Sequence, residues 1–353
     1  MAAPSSRPRW VRRPAGSTWG DFGPDDQLGR LNLLTPARRR QAAAEVVEGL
    51  AFGLSLPLDF PGGAKLNARR KPPVLRPTEL RGQPFMNAPL RQFDARFTDV
   101  VCDDQVTLTL QYSTQWDSFA HVGAWFDADG DGEPEKVYYN GYRAHEHVLG
   151  PGDLRLASCP CGADGGSHAL ALGIETFAAT PIQGRGVLVD LHAHVGTRRE
   201  LVDHARLMHI LRSDGVVVEP GDMLVLHTGF ADVVLSMNRD PDMAVLDTSC
   251  AVLDGRDPAL LQWITDSGIS AICADNYAVE AFPARELVEA SGPALPLHEH
   301  CLFKLGVPLG ELWWLSELAT WLRAHGRHRF LLTAPPLRLP GAVGSPVTPV
   351  ATV

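Results

Sequence analysis

The sequence predicts an α/β fold, a mixed central sheet flanked by helices. Two observations carry this. Short apolar runs at residues 187–191, 223–227, 269–274 and 330–334 are each bounded by Gly, Asp or Pro, which suits strands buried on both faces. Around them, residues 197–211, 257–267 and 315–325 read as helices, the last stopped by Gly326.

Nearer the N-terminus, residues 35–49 open on Thr35-Pro36 and continue with Ala, Arg, Val and Leu, a helix with a cap and a proline in its first turn. Residues 62–89 are rich in Pro, Gly, Arg and Asn without a sustained period, so a long loop is expected. Loops of that length are usually functional or mobile. Phe85, Met86 and Asn87 within it either reach over a pocket as a lid or anchor the loop to the core. From Val106 the residues alternate. A strand there puts Val106, Leu108, Leu110 and Tyr112 on one face and Thr107, Thr109, Gln111, Ser113, Gln115 and Asp117 on the other. The first face feeds a core, and the second has the makings of a polar site.

Composition narrows the function. Of 353 residues, 45% are hydrophobic and 21% charged, enough to bury a core, and a net charge of -9 argues against a nucleic-acid surface. Arg7, Arg9, Arg12 and Arg13 lie in a short Pro-rich stretch, so residues 1–16 are expected to form a disordered arm ahead of a single domain over 17–353. No apolar run approaches the ~20 residues that span a bilayer. A soluble cytoplasmic protein with no membrane partner is expected. Six cysteines in a chain this long do not make a disulfide framework, and Cys159-Pro160-Cys161 lacks a second pair at zinc-ribbon spacing. All six are read as reduced thiols.

The segment from Gln111 to His121 (Gln-Tyr-Ser-Thr-Gln-Trp-Asp-Ser-Phe-Ala-His) ends on a carboxylate and an imidazole. It resembles the signature of the cyclase superfamily, which includes bacterial kynurenine formamidase and isatin hydrolase and is written His-x-Gly-Thr-His-x-Asp-x-Pro-x-His. Thr114, Asp117 and His121 match in register, whereas Gln111, Ser113, Gln115 and Phe119 replace the first His, the Gly, the second His and the Pro. Further segments resemble family blocks in the expected order. They include Trp19-Gly20 with residues 25–36, then residues 54–58, 185–190, 221–229 and 274–276, and finally residues 335–337 and 344–346. The resemblance implies a swivelling β/β/α fold.

It also implies a site. In the family the two signature His and the Asp bind a divalent metal, the last His moves protons, and a downstream His about a dozen residues before a Glu completes the centre. Glu311, five residues after Gly306, matches that Glu, and either His298 or His300 suits the His. His298 is favoured because it follows Leu295-Pro296-Leu297. The expected ligands are therefore Asp117, Glu311, one of His298 and His300, and Gln115 in place of a histidine. Asp117, His121 and Glu311 are the expected catalytic residues. A glutamine oxygen is a neutral, hard donor, so Mn, Mg or Ca is expected ahead of Zn, with a metal-free site as the alternative.

The function implied is hydrolysis of an amide, imide or lactone in a small cyclic or aromatic metabolite, akin to the arylformamidase of tryptophan catabolism. Metal-activated water would attack, with His121 as proton shuttle. Two alternatives stand beside it: a metal-independent cyclase or dehydratase using Asp117 and His121 as an acid–base pair, and a small-molecule binding protein without chemistry. Asp127-Ala128-Asp129-Gly130-Asp131-Gly132 copies half of an EF-hand loop, but Tyr138 stands where a bidentate Glu is required; a tight acidic turn is expected. His145/His147 and His192/His194 are each spaced to point one way from a strand. Eight Trp residues and the family pattern suggest a homodimer, with its interface near residues 85–90.

Overall fold

The computed structural model describes residues 9–153, 166–288 and 290–353. Its centre is a curled nine-stranded mixed sheet. The strands are β1 (Ala51–Gly53), β2 (Gln115–Asp117), β3 (Gln183–Asp190), β4 (Met223–His227), β5 (Ala271–Ala274), β6 (Leu309–Glu311), β7 (Arg329–Thr333), β8 (Gly344–Pro346) and β9 (Val350–Thr352). In space they run β1-β9-β7-β3-β4-β5-β6-β2-β8. The middle four, β3 to β6, are mutually parallel, and the remaining pairings are antiparallel. The apolar runs read from the sequence fall on β3, β4, β5 and β7. Apart from half-buried Leu331, their Val, Leu, Ile and Phe side chains are almost completely buried because helices cover the sheet.

The flanking helices begin where the sequence supplies caps. In α1 (Pro36–Ala43) Thr35 Oγ1 accepts the Arg38 N–H, in α2 (His204–Asp214) Asp203 accepts from Arg206, and in α3 (Pro258–Ser267) Asp257 accepts from Ala259. The last, α4 (Ser316–Ala324), buries Leu318, Ala319 and Leu322 and is followed by Gly326 in the left-handed region. The helix expected over 197–211 starts later, because residues Glu200–Val202 first pair as a strand with Ala251–Leu253. The helix expected over 35–49 ends at Ala43.

Three expectations from the sequence need correction. The strand from Val106 is not continuous: Asp104–Thr107 is exposed and pairs with Val74–Pro77, the chain turns where Tyr112 N–H donates to Thr109 O, and a buried strand resumes only at Gln115. Alternation persists through the turn, so it hides the break. Residues 62–89 are only partly loop, since Val74–Pro77, Glu79–Leu80, Gln83–Pro84 and Ala88–Pro89 belong to small two-stranded ribbons. From residue 9 onward the expected arm lies against the domain: Arg9 pairs with Asp25 at 2.7 Å, Arg12 with Asp127 at 2.6 Å, and Trp10 packs near Trp19. Cys102 is exposed and Cys250, Cys273 and Cys301 are buried free thiols, while Cys159 and Cys161 lie outside the described residues. Among the described residues, no helix is long and apolar enough to cross a membrane.

Candidate metal centre

Strands β2 and β6 lie antiparallel with Leu309 opposite Asp117 and Glu311 opposite Gln115. This register places three polar side chains, Gln115, Asp117 and Glu311, inside the core at 0%, 0% and 2% exposure. His298 reaches them from the short helix Pro296–His298, which runs on into a π-helical segment, Glu299–Leu305. One ligand atom from each of Asp117, His298 and Glu311 lies within 4.8 Å of the others.

The cluster is held from behind. His298 Nε2 stands 3.1 Å from Glu311 Oε1, and its Nδ1 stands 2.8 Å from Glu280 Oε1. Glu280 also accepts the backbone N–H groups of Leu297 and His298, so one buried carboxylate caps the helix and orients the ring. On the other side, Gln115 Nε2 donates to Glu311 Oε2 at 3.0 Å. Leu312, next in the chain, sits at φ +55, a strained conformation for leucine. It is fixed by its N–H to Asn276 O and by the Thr114 hydroxyl on its carbonyl.

Asp117 differs from its neighbours. Among the described residues neither of its carboxylate oxygens has a hydrogen-bond partner, although both are buried. The His121 ring stands nearby, with Nε2 3.8 Å from Oδ1, beyond hydrogen-bond reach. Burial raises the Asp117 pKa; the neighbouring His121 and His298 rings and the Arg70 guanidinium oppose the rise, and the Glu311 carboxylate adds to it. For Glu311 burial pushes upward too, but the bond and charge of His298 outweigh it and hold the carboxyl below its ordinary value. Burial pushes His298 down, yet bonds to Glu280 and Glu311 raise it to about 10. A bare, unpartnered carboxylate at this depth is costly. A divalent cation between Asp117, His298 and Glu311 would satisfy it with two carboxylates and one imidazole, a donor set that hard or borderline ions accept.

The other expected residues are placed as follows. His121 is partly exposed at the mouth of the cluster, and its Nδ1 meets Gln111 Nε2 at 3.2 Å. Gln115 is adjacent to the cluster but turns its amide nitrogen toward Glu311 and its oxygen toward Arg70. His300 is not brought in: Nε2 contacts Thr265 Oγ1 at 2.9 Å, and burial with the nearby Lys304 charge depresses its pKa to about 4. Two residues were not singled out from the sequence. Glu280 lies 18 positions before His298 in no recognisable motif, and Arg70 sits in the irregular stretch before the ribbon.

Elsewhere, Asp127, Asp129 and Asp131 come together, but they accept N–H groups of their own turn, and Arg12 pairs with Asp127. The paired histidines diverge. His145 bonds Asp153 and His147 the Arg143 N–H, while His192 and His194 lie on a helical turn, Leu191–Val195, facing Thr228 and Asp214. Trp19, Trp116 and Trp313 are core residues, the latter two in edge-to-face contact at 5.2 Å, whereas Trp125 is exposed.

Residues 52–281 match the family described as "Putative cyclase". Over 96% of its length the chain is similar to a crystal structure described as that of a novel cyclase, at 32% identity, covering 97% of that chain with a TM-score of 0.71. It shares its fold with isatin hydrolase A from Ralstonia solanacearum, at 12% identity, 86% and 91% coverage of the two chains and a TM-score of 0.52. The same holds for isatin hydrolase A from Labrenzia aggregata bound to benzyl benzoate, at 12% identity, 88% and 95% coverage and a TM-score of 0.52. No curated protein matches the sequence significantly.

Proposed function

The chain belongs to the cyclase family, and from that premise we propose that it is a metal-dependent hydrolase of an amide, imide or lactone in a small cyclic or aromatic substrate. The observation that carries the proposal is the pair of buried, unpartnered Asp117 oxygens facing His298 and Glu311. The isatin hydrolases that share the fold support the choice of a cyclic carbonyl compound as substrate class.

A divalent ion held by Asp117, His298 and Glu311 would supply Lewis acidity toward a carbonyl oxygen and lower the pKa of bound water. The chain's own groups do the rest. Glu280 fixes the ring of His298 through Nδ1, directing Nε2 into the cluster. His121 takes a proton from the attacking water at Nε2 and returns it to the nitrogen or oxygen that leaves as the acyl bond breaks. Gln111 governs that exchange. With its amide oxygen turned to Nδ1, the ring proton sits on Nδ1 and Nε2 is free to accept, and the imidazolium so formed gives the Nε2 proton back; with the amide nitrogen at Nδ1, as in the structure, the neutral ring carries its proton on Nε2 and the amide must turn before Nε2 can accept.

A second reading is favoured by one observation: Gln111 and Gln115 spend their amides on His121 and Glu311. Asp117 and His121 would then form an acid–base pair for ring closure or dehydration without metal. Elemental analysis of the purified protein, paired with turnover of formanilides, cyclic imides and aryl lactones, separates the two. Bound Mn, Mg or Ca that is lost in Asp117→Asn together with turnover supports the hydrolase. Full activity in the presence of a strong chelator favours the second reading.

A further inference from the structure

Gln115 joins the cluster to a cation. Its side chain is fully buried on β2 and meets a different partner at each end of the amide. Nε2 donates to Glu311 Oε2 at 3.0 Å, and Oε1 faces Arg70 Nη1 at 3.5 Å. An ionised carboxylate only accepts and a guanidinium only donates, so this orientation of the amide is the one that suits both. For its oxygen to join a metal ion between Asp117, His298 and Glu311, the amide has to turn and leave Glu311 and Arg70 together. The residue that stands in place of a family histidine is thus held with its donor oxygen pointing the other way.

Arg70 is fixed where it stands. Its backbone N–H donates to Asn67 O, the Asn67 amide donates to the Tyr277 hydroxyl, and the N–H of Lys71 donates to Thr109 Oγ1. The half-buried guanidinium lies 5.8 Å from the Tyr277 ring centroid, within cation–π range. The space beside it, about 10 Å³, has room for roughly one water. Its charge acts on the cluster, opposing the rise in the Asp117 pKa and helping to hold Glu311 low. A cation that favours the ionised form of these two carboxylates also competes with any second cation for them, and a half-buried charge is only partly screened by salt.

We propose that Arg70 sets the affinity of the centre for metal. It keeps the Gln115 oxygen off the ion, leaving Asp117, His298 and Glu311 as the protein ligands, and its charge makes those three hold a divalent cation more weakly than they would alone. The proposal rests on the metal-dependent reading of the centre. Both effects run in one direction, because losing Arg70 frees the Gln115 oxygen and removes a like charge from the surroundings of the ion.

Calorimetric titration of Mn into the metal-stripped full-length protein tests this with no substrate present. Arg70→Gln removes the charge, Arg70→Lys keeps it, and Gln115→Leu removes the amide; circular dichroism checks that each variant is folded. Arg70→Gln should bind Mn about tenfold more tightly than the wild type, the scale of one nearby charge, and Arg70→Lys about as tightly as the wild type. Gln115→Leu should bind no more weakly than the wild type, since its oxygen is not a ligand; should that variant not fold, the two Arg70 variants decide alone. Measurable but equal affinity in the wild type and Arg70→Gln, or weaker binding by Arg70→Gln, overturns the proposal and leaves the metal centre standing. So does an equal gain in Arg70→Lys, which would take the effect away from charge, or a tenfold loss in Gln115→Leu, which would make the amide a ligand. If neither the wild type nor Arg70→Gln binds Mn, this proposal and the metal reading fall together.

Discussion

Glu280 and His298 are joined twice: Glu280 Oε1 accepts the His298 backbone N–H at 2.9 Å and faces the ring Nδ1 at 2.8 Å. Orientation of the ring and capping of its helix are therefore one event. Gly255 makes room for it, since a Cβ at that position would come within 2.1 Å of Glu280 Oε2.

Glu280→Gln keeps an acceptor for the helix but removes the charge that sustains the His298 ring. The expected result is a fall in divalent-metal affinity of roughly 10–100-fold, the usual cost of losing such a supporting carboxylate, with little change in fold. Gly255→Ala should act in the same direction by displacing Glu280. Titration with Mn checks both; wild-type affinity in both variants would contradict the proposed role.

His121→Ala should leave metal binding and folding intact and lower turnover by about 100-fold or more, the effect of removing a positioned proton-transfer group. Gln111→Leu should lower turnover less and shift its pH profile, because the ring tautomer loses its partner at Nδ1. Unchanged kinetics in both would remove His121 from the reaction.

How much of this was legible in the sequence depends on whether a property was local. Apolar runs such as residues 223–227 and caps such as Asp257 are local, and they appear as strands and helices where expected. Asp117, Gln115 and Glu311 could be singled out because the signature and the downstream block each carry their own spacing. The choice between His298 and His300 was not local. Two residues apart on a helix, they point about 200° from each other, and only Glu280 and Thr265, distant in sequence, fix which ring faces the cluster. The turn at Thr109 was hidden by alternation that continues through it. Arg70 was hidden because an arginine in an irregular stretch is ordinary until Gln115, distant in sequence, is seen beside it.

We propose a homodimer, with the ribbon around residues 74–107 as its contact. Leu75 is 69% exposed and Val100 62%, and Val74, Met86, Phe93, Phe97 and Val106 are exposed as well. A two-stranded ribbon has no core of its own to bury them. Light scattering at micromolar concentration should give twice the 38.3 kDa of one chain. Charge placed at Leu75 and Val100 should return it to one. A wild-type mass equal to a single chain rules the dimer out.

The last prediction concerns pH. His227 at the end of β4 and Asp190 at the end of β3 are bonded through Nδ1 and Oδ1 at 2.8 Å, and Asp190 also pairs with Arg323. Burial pushes His227 down, but its bond to Asp190 and the charges of Asp275, Asp190 and Asp232 raise it above its ordinary 6.5. Burial pushes Asp190 up, but His227, the Ala193 N–H and Arg323 bring it below 3.8. A raised histidine binds more protons in the folded than in the unfolded protein, so its stabilisation is complete below pH 6.5 and is lost as pH rises through the folded value. The lowered aspartate acts oppositely, its contribution present above pH 3.8 and lost as pH falls through its folded value. Urea midpoints of the wild type should therefore decline as pH rises above 6.5, and His227→Gln should be less stable near neutrality yet lack that decline. An identical decline in the variant would show that other groups set the alkaline limb and that the His227–Asp190 pair is not the linkage.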